Sequence, residues 1–397
     1  MMNDHRATTP SRGVLAHPVR GPVTLAELTA GLVWPQLLRI PAMAVQPGRV
    51  VIGTAAVLAL ALIARLFDGG CRVFGVADFA WPLLGSVTSG FEGFAREVYS
   101  LRPAAALGAL YEGVFGGPVS SLRDRPLTGV LFLAVAAPVW MTAGGAICRM
   151  VAVDVAGHVN LSLRESVGFA LRRSWTLAWA LLLPLTVLGL LLLGLTAAGW
   201  LLFSVPVLDA VGGLLYGFFL LTALLVTVLF VGFVVVQALL APAVAAEGAD
   251  ALDALQRAYA YALGRTARLA LYAGGALIIA IVVFSVVRAI VLEGQALASA
   301  SATAWLSEAR INRLLYPSTP EDRSLASLLI ERWGQGVGVV LAGFGVSLYF
   351  SASTIVYMLC RRVNDEQDLR EVWMPGLVDG TLVAENAFGR TGDDDND

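Results

Sequence analysis

The sequence predicts an all-α membrane protein: a six-span helical bundle with interfacial amphipathic helices and a parallel internal repeat. Charged residues make up only 14% of the 397-residue chain and hydrophobic residues 57%, whereas soluble domains carry about 25% charged residues. The hydrophobic residues are concentrated in runs close to the roughly 20 residues that a spanning helix needs. Between these runs, apolar residues recur at helical spacing beside charged ones, which is typical of helices at a membrane surface.

Composition also narrows the functional classes. The formal net charge of −2 argues against a nucleic-acid partner. The cysteines Cys71, Cys148 and Cys360 are far apart, and two of the three histidines lie near the N-terminus. We therefore predict no metal site, no cofactor site and no catalytic residues. The third histidine, His158, is interpreted as an interfacial polar residue.

Residues 1–48 are predicted to form a cytoplasmic N-terminal tail. They lack an apolar core followed by a small-residue cleavage site, so we expect the first span, and not a cleavable signal peptide, to direct insertion. Within the tail, residues 23–45 show a helical pattern broken by Pro35 and Pro41. This pattern predicts a short amphipathic segment on the membrane surface.

Residues 49–362 are predicted to form the membrane domain. Two stretches within it, 68–126 and 293–333, place charged residues at helical spacing and predict extracytoplasmic amphipathic regions. Residues 363–397 are predicted to be an acidic cytoplasmic tail. The spans are predicted at about 50–67, 127–151, 177–203, within 211–240, 269–292 and 337–360.

The distribution of arginines predicts the orientation, because cytoplasmic loops carry an excess of basic residues. The loop between the third and fourth spans has no basic residue. We name the connections after the second and fourth spans the first joint (162–175) and the second joint (247–262). We expect both joints and both termini to be cytoplasmic, with the protein in a bacterial inner membrane. The arginines in or beside the joints are Arg149, Arg164, Arg172, Arg173, Arg257, Arg265 and Arg268.

The two joints are similar to each other and indicate a duplication. Ser162 and Asp250 are both favourable N-cap residues, and each is followed three residues later by a carboxylate, as in a capping box. Repeat units of about 127–203 and 211–292 would run in the same direction and be related by an axis along the membrane normal. Alternatively, cytoplasmic amphipathic loops share these features without duplication. The buried face of the second joint is predicted to consist of Leu252, Leu255, Tyr259 and Ala262.

The second joint holds the candidate polar cluster of Glu247, Asp250, Asp253 and Arg257. One interpretation is a polar gate or a ligand contact at the cytoplasmic mouth of the bundle. The other is helix capping together with an ion pair between Asp253 and Arg257, which are four residues apart on one helix face. Such a pair stabilises a helix by about 0.3–0.5 kcal/mol.

Two further candidate residues are arginines close to the ends of spans. Arg149 lies at the inner end of the second span and Arg288 about one turn from the outer end of the fifth. An arginine at either depth can extend its guanidinium to the interface, which avoids the cost of about 2.5–3.5 kcal/mol for the bilayer centre. The alternative for Arg288 is a buried partner such as Glu293 or Glu92.

Small residues predict where helices approach closely. Gly213 and Gly217 form a GxxxG pair in the fourth span. We interpret them, and a row of small residues in the sixth span, as packing positions within the bundle. The row comprises Gly336, Gly343, Ser347, Ser351 and Thr354.

Four stretches resemble a family of polytopic membrane proteins of planctomycete-type bacteria, over roughly residues 127–373: Gly145–Arg149, Ser162–Ser166, Pro242–Leu255 and Ser351–Tyr357. The Pro-Ala-x-x-x-Glu-Gly pattern at Pro242 is also similar to the membrane domain attached to some glycerophosphodiester phosphodiesterases. The resemblance implies an all-helical membrane module without an assigned activity. The catalytic barrel of those phosphodiesterases, with its metal-binding carboxylates, is absent here, so their chemistry is not implied.

Three hypotheses for the function follow. The first is a non-enzymatic membrane scaffold, subunit or lipid-contacting module, whose partners are membrane lipids and either another membrane protein or a second copy. The second is a transporter or channel with a path between the two repeats, although transporters usually keep ionisable residues near the midplane. The third is a lipid-acting membrane enzyme, which would need convergent polar groups at one interface.

Overall fold

The computed structural model describes residues 34–157, 161–205, 208–317, 323–365 and 367–373. Within these ranges the regular structure is helical: a 3-10 helix at Trp34–Arg39, a π-helical turn at Glu112–Gly116 and thirteen α-helices. The α-helices are α1 (Ile40–Ala44), α2 (Pro47–Val73), α3 (Ala80–Tyr99), α4 (Pro103–Tyr111), α5 (Gly117–Asp124), α6 (Pro126–Val155), α7 (Leu163–Arg172), α8 (Ser174–Ser204), α9 (Asp209–Glu247), α10 (Ala251–Gly264), α11 (Thr266–Thr303), α12 (Glu308–Leu315) and α13 (Leu325–Asp365).

Six of these helices are long and apolar enough to cross a membrane: α2, α6, α8, α9, α11 and α13. The predicted all-α fold with six spans is therefore confirmed. The helices extend beyond the predicted spans, and α13 has 41 residues. At 1.5 Å per residue it is about 60 Å long, twice the ~30 Å hydrocarbon core of a bilayer.

The apolar core lies at the end of the bundle that carries α7 and α10, which we name the joint end. Here three spans are buried continuously over residues 144–153 of α6, 239–246 of α9 and 350–361 of α13. Glycine, alanine and serine are frequent in these stretches and allow the helix backbones to approach closely. Towards the other end the spans expose leucines such as Leu214 and Leu297, as lipid-facing helices do.

The segment before the first span is part of this core. The 3-10 helix and α1 pack against α11 and α13, and they bury Leu37, Ile40 and Met43. The Ser347 hydroxyl of α13 donates to the Ala44 carbonyl at 2.8 Å, which satisfies a carbonyl at the end of α1. Residues 34–44 thus pack against the bundle, and their predicted position at the membrane surface stays a prediction; residues 23–33 are outside the described ranges.

The tightest helix crossing joins α2 and α13 through glycines. A Cβ atom built on Gly53 would lie 2.2 Å from the Gly343 carbonyl oxygen, so neither position has room for a side chain. This confirms the packing role predicted for Gly343. Gly213, Gly217 and Gly336 have no heavy atom of another segment within 4 Å of such a Cβ, so the packing role predicted for them is wrong.

The predicted region 68–126 is helical and forms α3 to α5. Asp68, near the end of α2, is buried and accepts the backbone N–H groups of Phe79, Ala80 and Trp81, each at 2.8 Å. A carboxylate in this position satisfies the unpaired donors of the first turn of α3. It fixes α3 to the end of α2 that is remote from the joints.

The two joints differ in their caps. Ser162 forms the predicted capping box with Glu165 at the start of α7. Asp250 precedes α10 with extended backbone, but its side chain makes no capping hydrogen bond. The neighbours of the following spans also differ, because α8 packs along α6 and α9, whereas α11 packs mainly against α13. The internal repeat remains a prediction.

Candidate functional site

Glu247 is the centre of the polar cluster at the second joint. It is the last residue of α9, where Gly248 turns the chain in a left-handed conformation with φ = 64°. This turn places α10 beside the end of α9. The Glu247 side chain is only 9% exposed, forms an ion pair with Arg257 of α10 and accepts a hydrogen bond from the Tyr357 hydroxyl of α13. One carboxylate thus connects three helices.

The network continues to a second phenol–carboxylate pair. The hydroxyl of the buried Tyr261 of α10 donates a hydrogen bond to Asp365 near the end of α13. The ring centroid of Tyr261 is 5.5 Å from that of Tyr357. Burial, and then the hydrogen bond to Asp365, raise the pKa of Tyr261 above that of an ordinary tyrosine. Sequence reasoning missed all three of these residues.

The buried face of α10 explains part of this omission. The structure buries Ala254, Ala258, Tyr261 and Ala262, while Leu252 is exposed and Tyr259 is half-buried. The predicted face of Leu252, Leu255, Tyr259 and Ala262 is therefore rotated from the observed one. The alanines at positions 254 and 258 were the available signal, because small residues let α10 lie close to α9.

Asp250 and Asp253, the other two acidic members of the predicted cluster, are exposed. Arg257 makes its ion pair with Glu247, so the predicted pair between Asp253 and Arg257 is not formed. The nearly buried Glu247 carboxylate is the stronger partner, because opposite charges attract more in a low dielectric than on a solvated helix face. The structure thus brings together two of the four predicted residues.

Arg149 does not extend to the interface, contrary to the snorkelling interpretation. It is buried in α6, where its Nη1 donates to the Ala245 carbonyl at 3.0 Å. Its guanidinium carbon is 5.1 Å from the ring centroid of Phe169 and 5.7 Å from that of Trp373. Because α7 and the returning C-terminal segment cover the end of α6, the Arg149 side chain is enclosed by protein. The snorkelling interpretation had predicted a solvated guanidinium at this position.

Trp373 belongs to residues 367–373, which we name the C-terminal strap. The strap follows α13 and returns over the joint end, where the backbone N–H of Trp373 donates to the Ala246 carbonyl at 2.8 Å. Arg173, between α7 and α8, lies 5.1 Å from the same indole and donates to the Gly248 carbonyl at 2.7 Å. The strap therefore joins the first joint to the second. The remaining part of the predicted acidic tail, from residue 374, is outside the described residues.

A second charge pair fixes the start of α2. Arg49 is 1% exposed and binds Asp154 of α6 at 2.8 Å. It also donates to the carbonyls of Met43 at 2.6 Å and Met150 at 3.1 Å, and Gln46 donates to the same carboxylate oxygen of Asp154. Arg49 thus holds α1, α2 and α6 together.

Arg288 is exposed on α11. It lies twenty residues after Arg268, a rise of about 30 Å, which is the thickness of the hydrocarbon core. Within the described part of the chain it forms no ion pair with Glu293 or Glu92. The alternative of a buried partner is therefore wrong for these two glutamates, and the position fits an arginine at the far membrane surface. His158 is outside the described residues.

The joint end has little room for a ligand. The best-formed depression among the described residues lies beside the 3-10 helix and the end of α13, not at Glu247, and it encloses almost no space that a water molecule could occupy. Ligand pockets usually measure about 300–1,000 Å³. No group of three or more His, Cys, Asp and Glu side chains in the described ranges could hold a metal ion.

Comparison with known proteins yields no match: no family model, no curated protein and no solved structure is significantly similar to the chain. The resemblance at Pro242 and in the other quoted stretches therefore stays a prediction.

Proposed function

We propose that the protein is a non-enzymatic, multi-pass membrane scaffold, subunit or lipid-contacting module. The observation that carries this proposal is the use of the polar groups at the joint end. Glu247 binds Arg257 and Tyr357, and Arg49 binds Asp154. Catalytic groups converge on a space that a substrate can enter. These groups converge on one another and hold helices at fixed distances, which is what a structural module needs.

The surface of the joints supports lipid contact. Trp175 is 72% exposed and Leu263 is 77% exposed, and they lie within three residues of Arg172 and Arg265. Tryptophan is enriched at membrane interfaces, and each arginine near an anionic membrane surface contributes about 1 kcal/mol. We infer that both joints lie at the headgroups of the cytoplasmic leaflet of a bacterial inner membrane, with both termini cytoplasmic.

Cysteine labelling tests this orientation. Asp253 is exposed on α10, so Asp253→Cys provides a site at the second joint. Cys71 is partly exposed near the opposite end of α2 and is replaced by serine, while Cys148 and Cys360 are buried. A membrane-impermeant maleimide should label the variant only after the cells are permeabilised. Labelling in intact cells would place the joints outside and refute the orientation.

Reconstitution tests the role itself. The full chain, extracted into nanodiscs from native membrane, should retain anionic phospholipid above its bulk fraction, and native mass spectrometry would identify any protein partner or second copy. The same protein in sealed vesicles should leave solute flux and lipid composition unchanged. Solute flux above that of empty vesicles would favour a transporter, and conversion of a lipid headgroup would favour an enzyme; either result would refute the proposal.

A further inference from the structure

Several contacts attach the strap to the bundle. The Arg361 guanidinium donates to the carbonyls of Asp368 and Glu371, and Arg362 forms an exposed ion pair with Asp368. At its end, Trp373 enters a cleft between the two joints. Between these points the strap presents the side chains of Asp368, Arg370 and Glu371 to solvent.

We name the receiving surface the indole cleft; it is formed by Arg149, Phe169, Arg173, the carbonyl of Ala246 and Gly248. These residues come from α6, α7, the α7–α8 junction, the last turn of α9 and the glycine that follows it. Two guanidinium carbons lie 5.7 and 5.1 Å from the Trp373 ring, and the Phe169 ring centroid is 6.3 Å from it. The cleft therefore exists only when both joints are in place.

The cleft selects a ring and a backbone donor together. A Cβ atom on Gly248 would lie 2.6 Å from the indole Cδ2, so the ring rests directly on the glycine backbone. A guanidinium over an indole is attracted electrostatically by the face of the ring, and more strongly when the pair is desolvated. The Ala246 carbonyl accepts the N–H of the same residue at 2.8 Å. Such a combination of backbone bonding and a side-chain pocket is how extended peptides are recognised.

The strap is held by three hydrogen bonds, one exposed ion pair, which contributes little to stability, and the contacts of its partly buried side chains. Its other apolar side chains, Leu369 and Val372, are only partly buried, and Trp373 itself is half-buried. Segments with few buried contacts open at a small fraction of the global unfolding free energy. Its attachment to α13 compensates for this, because a short tether gives an effective concentration on the order of millimolar. A segment held in this way is displaced when a competitor is present at sufficient concentration or affinity.

We propose that the indole cleft is a recognition site for an extended peptide segment that carries a tryptophan, and that residues 367–373 occupy it as an internal competitor for such a segment of a partner protein. This inference rests on the proposed role as a scaffold or subunit, and it identifies the surface and the chemistry of the partner. While the strap is docked, the cleft is closed to partners.

The test is peptide binding in trans to the full chain in nanodiscs. The probe is a fluorescein-labelled peptide with the sequence of residues 367–375, followed by anisotropy. Trp373→Ala removes the internal ring and should strengthen binding of the peptide about tenfold or more over the wild type, as expected for loss of a tethered competitor. A peptide with alanine in place of its tryptophan should not bind. Trp305→Ala, which removes a 98% exposed tryptophan elsewhere, should behave like the wild type.

The cleft itself is tested in the Trp373→Ala background. Adding Arg173→Gln should abolish the gained peptide binding, because it removes one of the two stacked guanidiniums. Equal binding of the peptide by the wild type and Trp373→Ala, or no binding by Trp373→Ala, would overturn the proposal.

Hydrogen exchange provides a measurement that needs no variant. Excess peptide should accelerate exchange in residues 367–373 of the wild type and leave α13 unchanged; unchanged exchange in the strap would also overturn the proposal. Because lipid retention and solute flux are separate readouts, failure of this inference is distinguishable from failure of the proposed function.

Discussion

The crossing of α2 and α13 gives a sharp prediction for Gly343→Ala. The new Cβ atom would lie 2.2 Å from Thr54 Oγ1 and 2.5 Å from the Thr54 backbone nitrogen and Cα. A Cβ atom in ordinary van der Waals contact lies at least 3.4 Å from a neighbouring heavy atom. The two helices would therefore have to separate by roughly 1 Å. Overpacking of this kind costs about 1–3 kcal/mol. The Thr54 hydroxyl can rotate away, but the Thr54 backbone atoms at 2.5 Å move only with the helix.

A matched control isolates the packing contribution. Gly338 lies on the same helix, is exposed and has no heavy atom of another segment within 4 Å of a built Cβ. Both substitutions gain the helix preference of alanine over glycine, about 0.5–1 kcal/mol, so this gain cancels in their difference. We expect Gly343→Ala to be less stable than Gly338→Ala by about 1–3 kcal/mol, a factor of roughly 5 to 150 in the unfolding equilibrium.

The assay is the free energy of unfolding from an SDS titration in mixed micelles, followed by far-UV circular dichroism. If Gly343→Ala proved as stable as Gly338→Ala, the backbones would not be in contact at this crossing. The packing role assigned to Gly343 would then be refuted.

Three further predictions use the same unfolding titration or hydrogen exchange. Ser162→Ala should destabilise the protein by about 1 kcal/mol, because it removes the side-chain cap of α7. Asp250→Ala should be nearly neutral, because the Asp250 side chain makes no capping hydrogen bond. Equal effects of the two substitutions would contradict the difference between the joints. Asp154→Ala should lower the free energy of unfolding by about 3 kcal/mol, because Arg49 stays buried without its carboxylate partner. Adding Arg49→Met should restore most of this stability. No recovery in the double variant would show that the buried charge is not the cause. Hydrogen bonds from the Ser162 hydroxyl and then its backbone N–H lower the pKa of Glu165, so their stabilisation is present above the ordinary glutamate value of about 4.3 and is lost as the pH falls through the folded value. The protection factors of amides in the first turn of α7 should fall over that range in the wild type and fall less in Ser162→Ala, which keeps only the backbone N–H donor.

The joints show how far sequence patterns reach into the site. The Ser162 capping box was predictable because its partners are three residues apart on one turn. Glu247 and Arg257 were also identified, since both lie in one amphipathic stretch. Tyr357 and Asp365, which complete the network, are more than a hundred residues away from the residues that they bind, and no local pattern marks them.

The arginines show the same limit. A snorkelling interpretation follows from depth alone, and depth can be counted along a helix. Arg288 agrees with it, whereas Arg49 and Arg149 are enclosed by α1, α7 and the strap. Nothing in the neighbouring sequence indicates which span ends will be covered.

The sequence by itself determined the number and positions of the spans. In lipid every backbone group must be satisfied within its own segment, so the hydropathy of a segment is enough to identify a spanning helix. The tertiary structure decided which charges meet, which glycines are in contact and where the C-terminal strap lies. These depend on the angles and distances at which the helices cross, which are set by side-chain packing between segments far apart in the chain.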